Sequence, residues 1–291
     1  EESYLRQTYV QQLQALLIPR GSEDFNLHRL SGSRVTTQDV ADAVESMPMM
    51  APSTLVTVTD WDIFRLDESQ RSQLTELLED LPDYCTVVFI YDTVPYKPDR
   101  KMKKLTAAID KNVEVVEFQG QSRDALVRWL QKRFRALGRS IDQQTADYML
   151  FYCGSMMDNL IGEVNKVAAF AKAEQVTAAD IAAVAEPVLD ARIFDMTNHI
   201  SARDYNKAAA VLGDLLRMQT EPIVILAAVG KELRRLYTAR MALDAGKDRF
   251  WLKQLWSMSS DYPAKLLMQA AGKVDHEWCQ TAVIRCQMLD R

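Results

Sequence analysis

Apolar residues follow two rhythms along the chain. As far as about residue 118, short runs rich in β-branched and aromatic residues alternate with stretches whose apolar positions recur every three to four residues. Beyond Gln119-Gly120 only the second rhythm persists. In the first part, residues 4–18 read as a helix ended by Pro19-Arg20-Gly21, and residues 25–30, 55–59, 86–91 and 113–118 read as strands. Helices over 69–81 and 100–111 separate the later strands, and Thr37 is expected to cap another, with Val40, Val44 and Met47 on one face. Pro48 forces that helix to end near Ser46. Strands separated by crossover helices predict an α/β domain with a mostly parallel sheet.

The second part reads as helices throughout. They are expected at 123–137, 142–153, 158–173 and 177–185, then, past Glu186-Pro187, at 191–201, 205–218, 222–245, 250–258, 263–271 and 276–289. Thr177 is placed as a cap, and Pro222 and Pro263 as first helical residues, where a missing N–H costs nothing. The organisation is therefore α/β plus all-α, in three domains: 1–118, a small helical domain over 120–186 and a larger one over 190–291.

Composition narrows the class. With 48% hydrophobic and 26% charged residues the 291-residue chain is globular, and no apolar run approaches the roughly 18–20 residues of a membrane span. Cys85, Cys153, Cys279 and Cys286 form no CxxC pair, and His28, His199 and His276 are scattered, so neither a disulfide framework nor a zinc site is expected. The chain opens at Glu1 with no Met and no signal-peptide pattern, and is read as a piece whose true start lies upstream. The formal charge of −5 conceals an uneven distribution. Residues 1–96 hold 16 acids and 6 bases, whereas residues 97–139 hold 12 bases and 5 acids.

Catalytic patterns are missing. Nothing matches GxxxxGK[ST], since Gly230-Lys231-Glu232 and Gly246-Lys247-Asp248 fail at the last position, and there is no GxSxG. Asp60 and Asp62 follow a strand, where metal ligands of α/β enzymes often lie, but without a partner motif they read as an acidic loop or cap. No intrinsic catalysis and no cofactor are expected.

Three groups of residues remain as binding candidates. Met47-Pro48-Met49-Met50-Ala51-Pro52 either tucks its methionines under the sheet or presents an adaptable apolar pair between two prolines. Arg128, Lys132, Arg135 and Arg139 form one helical stripe opposite Leu126, Leu130, Phe134 and Leu137. Lys101, Lys103 and Lys104 form a second basic group. Both basic groups suit a phosphate backbone, an acidic neighbour, or simply solvent. Trp251, Trp256, Tyr262 and Trp278 offer rings for base stacking or for a helical core.

The order of these pieces resembles the delta subunit family of the bacterial DNA polymerase III clamp loader. The resemblance rests on Glu1-Glu2-Ser3-Tyr4-Leu5, Met47-Pro48-Met49-Met50 ahead of residues 55–59, and Asp99-Arg100-Lys101-Met102-Lys103-Lys104-Leu105. It extends through Gly162-Glu163-Val164-Asn165-Lys166-Val167, Ile193-Phe194-Asp195-Met196-Thr197 and Thr220-Glu221-Pro222-Ile223-Val224-Ile225-Leu226. It implies an AAA+-like α/β domain lacking its first strand, a helical lid and a helical collar for oligomerisation. It also implies a non-ATPase role: opening the sliding clamp (the beta subunit) with a hydrophobic wedge, here Met49 and Met50 with Met47 beside them, where the family usually carries Leu and Phe. The implied partners are ATPase and delta-prime subunits in a heteropentamer, with primer–template DNA reached through the complex and no membrane, in the bacterial cytoplasm at the nucleoid. The alternatives are a DNA-binding regulatory module using the basic stripe, and an ATP-using AAA+ protein whose P-loop lies outside the chain.

Overall fold

Three runs with strong β preference pair in parallel in the order β1 (Leu27–Ser31), β2 (Thr54–Thr59), β3 (Cys85–Ile90). The computed structural model describes residues 2–99, 101–258 and 260–289, which fall into two compact units meeting at 119/120. The sheet belongs to the first, together with α1 (Ser3–Leu17), α2 (Glu23–Asn26), α3 (Thr37–Glu45), α4 (Glu68–Glu79) and α5 (Lys103–Asn112).

Alternation along the central strand explains how the layers are covered. Leu55 faces Leu27 and Val88 and is sealed by Leu13, Leu17 and Ile18 at the end of α1. Val56 and Val58 point the other way, into a core with Val40 and Val44 of α3, Leu74 and Leu78 of α4, and Leu105 and Ile109 of α5. A parallel sheet needs apolar cover on both faces, and β2 receives it. The register sets Val56 opposite His28 and Val87, and Val58 opposite Leu30 and Phe89.

Three local expectations are corrected. Residues 113–118 pair with no strand among the described residues; Phe118 instead accepts a backbone bond from Glu2 at 2.9 Å and packs its ring on Tyr9. Residues 25 and 26 belong to the turn of α2, so the first strand starts at Leu27. The cap of α3 is Thr36 rather than Thr37, because Asp39 stands three residues after Thr36 and closes a reciprocal capping box; Thr37 is buried and bonds Gln73 at 2.8 Å.

The second unit is helical: α6 (Arg123–Ala136), α7 (Gln143–Cys153), α8 (Met157–Phe170), α9 (Ala178–Val184), α10 (Leu189–Ser201), α11 (Tyr205–Arg217), α12 (Pro222–Asp244), α13 (Arg249–Leu255), α14 (Asp261–Ala271) and α15 (His276–Leu289). Its two segments share an aromatic seam, with Phe151 of α7 edge-on to Phe194 of α10 at 5.4 Å and Tyr148 against Tyr262 of α14 at 6.1 Å. Thr177 caps α9 in a box with Asp180, and Pro222 opens α12. Pro263 is the third residue of α14, behind the Ser260 cap, a position whose N–H also has no partner within the helix. No helix among the described residues is long and apolar enough to cross a membrane.

Candidate functional site

Each strand of the sheet is preceded by a lead that enters from the same end, and these leads meet around residues 46–53. Pro48 and Pro52 keep that stretch out of helix and sheet, so its backbone groups need partners elsewhere. They find three. Tyr84, ahead of β3, donates its hydroxyl to the carbonyl of Glu45 at 3.3 Å. Asn26, ahead of β1, receives the Met49 N–H at 2.7 Å and returns a bond from Nδ2 to the Met49 carbonyl at 2.8 Å. Ser53 donates its hydroxyl to the carbonyl of Leu17 at 3.0 Å. Of these bonds, the Asn26 pair holds the loop's own backbone, at Met49, and the other two act at its ends through the Glu45 carbonyl and the Ser53 hydroxyl.

With the backbone tied inward, the side chains face out. Met47 is 76% exposed, Met49 54% and Met50 92%. Of the two outcomes left open for this pair, the structure shows the exposed one. Met50 also sits in the left-handed region at φ 55°, a conformation that costs a non-glycine residue roughly 1–2 kcal/mol. The residue before it, Met49, is the one bonded to Asn26 through both its N–H and its carbonyl.

The opposite end of the sheet is closed on itself. Asp60, just past β2 at φ 54°, turns its carboxylate into the loop after β3. Oδ1 accepts from the N–H groups of Asp92 (2.8 Å), Thr93 (2.9 Å) and Val94 (3.2 Å), and Oδ2 from the Thr93 hydroxyl (2.8 Å). Burial alone pushes this carboxyl up, but the bonds from residues 92–94 outweigh it and hold the group below its ordinary value. Arg6 of α1 completes the corner by donating to the Tyr91 carbonyl at 3.0 Å and pairing with Asp92. Asp62 caps the turn that follows, accepting from Phe64 N at 3.1 Å. Both acids therefore hold their own chain, and no cluster of three or more metal-ligating side chains occurs among the described residues.

The basic stripe is divided. Leu126, Leu130 and Phe134 of α6 are buried, and Arg128, Lys132 and Arg135 are exposed on the far side with no acidic partner among the described residues. Arg139 leaves the stripe: Nε donates to the Ala168 carbonyl at 3.0 Å and a terminal nitrogen to Ala173 at 3.3 Å, stitching the end of α8 to the turn after α6. Leu137, expected on the apolar side, lies at the cap of α6 and is exposed. Lys101, Lys103 and Lys104 are exposed, the last two in the first turn of α5, where the helix dipole favours acids instead; Arg100 lies outside the described residues. Trp256 and Trp278 pack against the core of α12–α15, Tyr262 lies in the aromatic seam, and Trp251 alone of the four is exposed.

No sequence pattern marked Asn26. An Asn ahead of a strand reads as a turn former, and its partner lies 23 residues away, beyond the reach of local spacing rules.

Comparison with known proteins decides the family. The model for the DNA polymerase III delta subunit matches residues 1–119, and the model for the C-terminal domain of that delta subunit matches residues 190–291. The chain belongs to the DNA polymerase III delta subunit family. DNA polymerase III subunit delta of Bacillus subtilis (strain 168) is 23% identical over 299 residues, spanning 100% of this chain and 84% of the relative. A probable DNA polymerase III subunit delta of Aquifex aeolicus (strain VF5) is 23% identical over 158 residues, 52% of this chain and 45% of the relative. Among solved structures, the Bacillus subtilis DNA clamp loader delta protein superposes with a TM-score of 0.54 at 20% identity, covering 99% of this chain and 86% of that one. The delta-family fold thus accounts for both units, and the first family model ends where the first unit ends.

Proposed function

We propose that this delta-family chain binds a sliding clamp through Met49 and Met50, with Met47 beside them, and favours the open ring. The observation that supports the reading is the pair of exposed methionines on a loop anchored from below, in the α/β unit. Burying a Met side chain is worth about 1.5–3 kcal/mol, so the pair supplies about two to four decades of affinity. Little loop ordering opposes this gain, because the backbone is already fixed. Ring opening then follows as a population shift: the wedge stabilises the open form only by the difference between its affinities for the two forms. ATP-driven steps belong to neighbouring subunits, assembled with this chain as a heteropentamer through a collar over 190–291. Residues 120–186 act as the lid between α/β domain and collar, and the assembly works in the bacterial cytoplasm. Calorimetric titration of the cognate clamp with the Met49→Ala, Met50→Ala protein tests the reading; undiminished affinity sinks it.

Arg128, Lys132 and Arg135, free of intramolecular acids among the described residues, support a second contact. They suit primer–template phosphates or an acidic face of a neighbouring subunit, and so, separately, do Lys101, Lys103 and Lys104 of the α/β unit. Salt-dependent DNA binding by the assembled loader, measured with and without these charges, separates the two.

A further inference from the structure

The wedge reading concerns side chains that face solvent; the geometry beneath them points to one residue that sets their position. We propose that Asn26 is the positioning residue of the wedge: its carboxamide fixes the Met49 peptide so that Met49 and Met50 are held in a docking-ready conformation before any clamp arrives. The proposal rests on the reading that these methionines dock on the clamp.

Three features carry it. Asn26 is fully buried, although Asn is a residue type that usually stays at the surface. Its amide is matched group by group: Oδ1 accepts from Met49 N–H, one Nδ2 hydrogen goes to the Met49 carbonyl, and the other goes to the Ser22 carbonyl at 2.8 Å. This two-way bond to a single residue's backbone imitates a pair of strand bonds, and it fixes the backbone's orientation as well as its distance. The bonded residue is also the one immediately before Met50, whose left-handed φ of 55° directs the most exposed side chain of the loop. An aspartate of the same shape would place oxygen against the carbonyls of Ser22 and Met49, losing both donors and keeping only the acceptor.

The test uses the full chain, the cognate clamp, and two readouts. In the unmodified protein, the amide hydrogen of Met49 is expected to exchange slowly, like a strand amide, despite its place in an exposed loop. Asn26→Asp is expected to speed that exchange across residues 47–53 while the helices of both units keep theirs. The same variant is expected to lose about tenfold or more in clamp affinity at a temperature where circular dichroism shows it folded. In a Met50→Ala background, Asn26→Asp is expected to cost less than it does in the parent protein, because only Met49 is left to position. Fast Met49 exchange in the unmodified protein overturns the proposal without any variant. Unchanged affinity of folded Asn26→Asp, or an equal loss in the Met50→Ala background, overturns it too. If Met49→Ala with Met50→Ala leaves clamp affinity intact, the wedge reading itself fails and the proposal falls with it; if that pair abolishes binding while Asn26→Asp does not weaken it, only the proposal fails.

Discussion

The two ends of β2 carry loops of opposite character. Ahead of Thr54, the loop of residues 46–53 turns its Met49 peptide onto buried Asn26 and sends apolar side chains out. Past Thr59, Asp60 turns a charged side chain inward and uses it to fasten the backbone of residues 92–94. In open α/β sheets the carboxyl end of the strands is where ligands ordinarily bind. Here the amides of residues 92–94 at that end are occupied by the chain's own carboxylate, and the exposed methionines lie at the amino end. In both places polar groups serve to fix a loop. Of the two loops, the one at the amino end leaves large apolar side chains exposed.

Changes at the two ends should therefore act on different observables. The largest effect belongs to the amino end: Met49→Ala with Met50→Ala should weaken clamp binding by about 100-fold or more, with the melting temperature unchanged because neither side chain supports the core. A stability loss comparable to the affinity loss would break the comparison. At the carboxyl end, Asp60→Asn should cost about 1–3 kcal/mol in denaturant unfolding and leave clamp affinity of the folded protein within about twofold. That effect should depend on pH with a definite sign. The folded Asp60 carboxyl lies below its ordinary value of 3.8, so its stabilisation is complete above that value and is lost as pH falls through the folded one. The stability gap between the parent protein and the Asp60→Asn variant should accordingly narrow as pH falls below the ordinary value of 3.8 and through the lower, folded one.

Smaller effects sharpen the contrast. Replacing Arg128, Lys132 and Arg135 with Ala should leave clamp binding unchanged and, if the stripe meets DNA, lower the salt slope of loader–DNA binding by about 0.9 per lost phosphate contact. An unchanged slope would remove DNA as the stripe's partner. Ser53→Ala removes only the bond to Leu17 at the loop's far end and should cost about 1 kcal/mol of stability or less, with a change in clamp affinity below about threefold.

Much of this layout was legible from the chain because helix periodicity and proline positions are local signals. The bounds of α1, α6 and α7 agree with the periodicity to within a residue or two, and the helix before Pro48 ends at Glu45 with Ser46 as its cap. Residues 113–118 misled because strand preference is realised only with a ladder partner, and this run has none among the described residues; Val115 and Val116 lie exposed. Helical spacing put Arg139 on the basic stripe, but α6 ends at Ala136, and past Gly138, at φ 71°, its guanidinium reaches the carbonyls of Ala168 and Ala173 instead. The methionine loop was visible as a loop, but no local signal showed that Asn26, 23 residues away, holds its Met49 peptide.

On the proposed reading, Met49 and Met50 are what this chain offers to a clamp. Oxidative footprinting of methionine, with and without the cognate clamp, addresses it directly. In the free chain Met47, Met49 and Met50 should oxidise readily, as should the exposed Met218 and Met288, while buried Met149 and Met157 should not. Adding the clamp should protect Met49 and Met50 and leave Met218 and Met288 as they were. Continued oxidation of Met49 and Met50 in a complex shown to be bound would contradict the account.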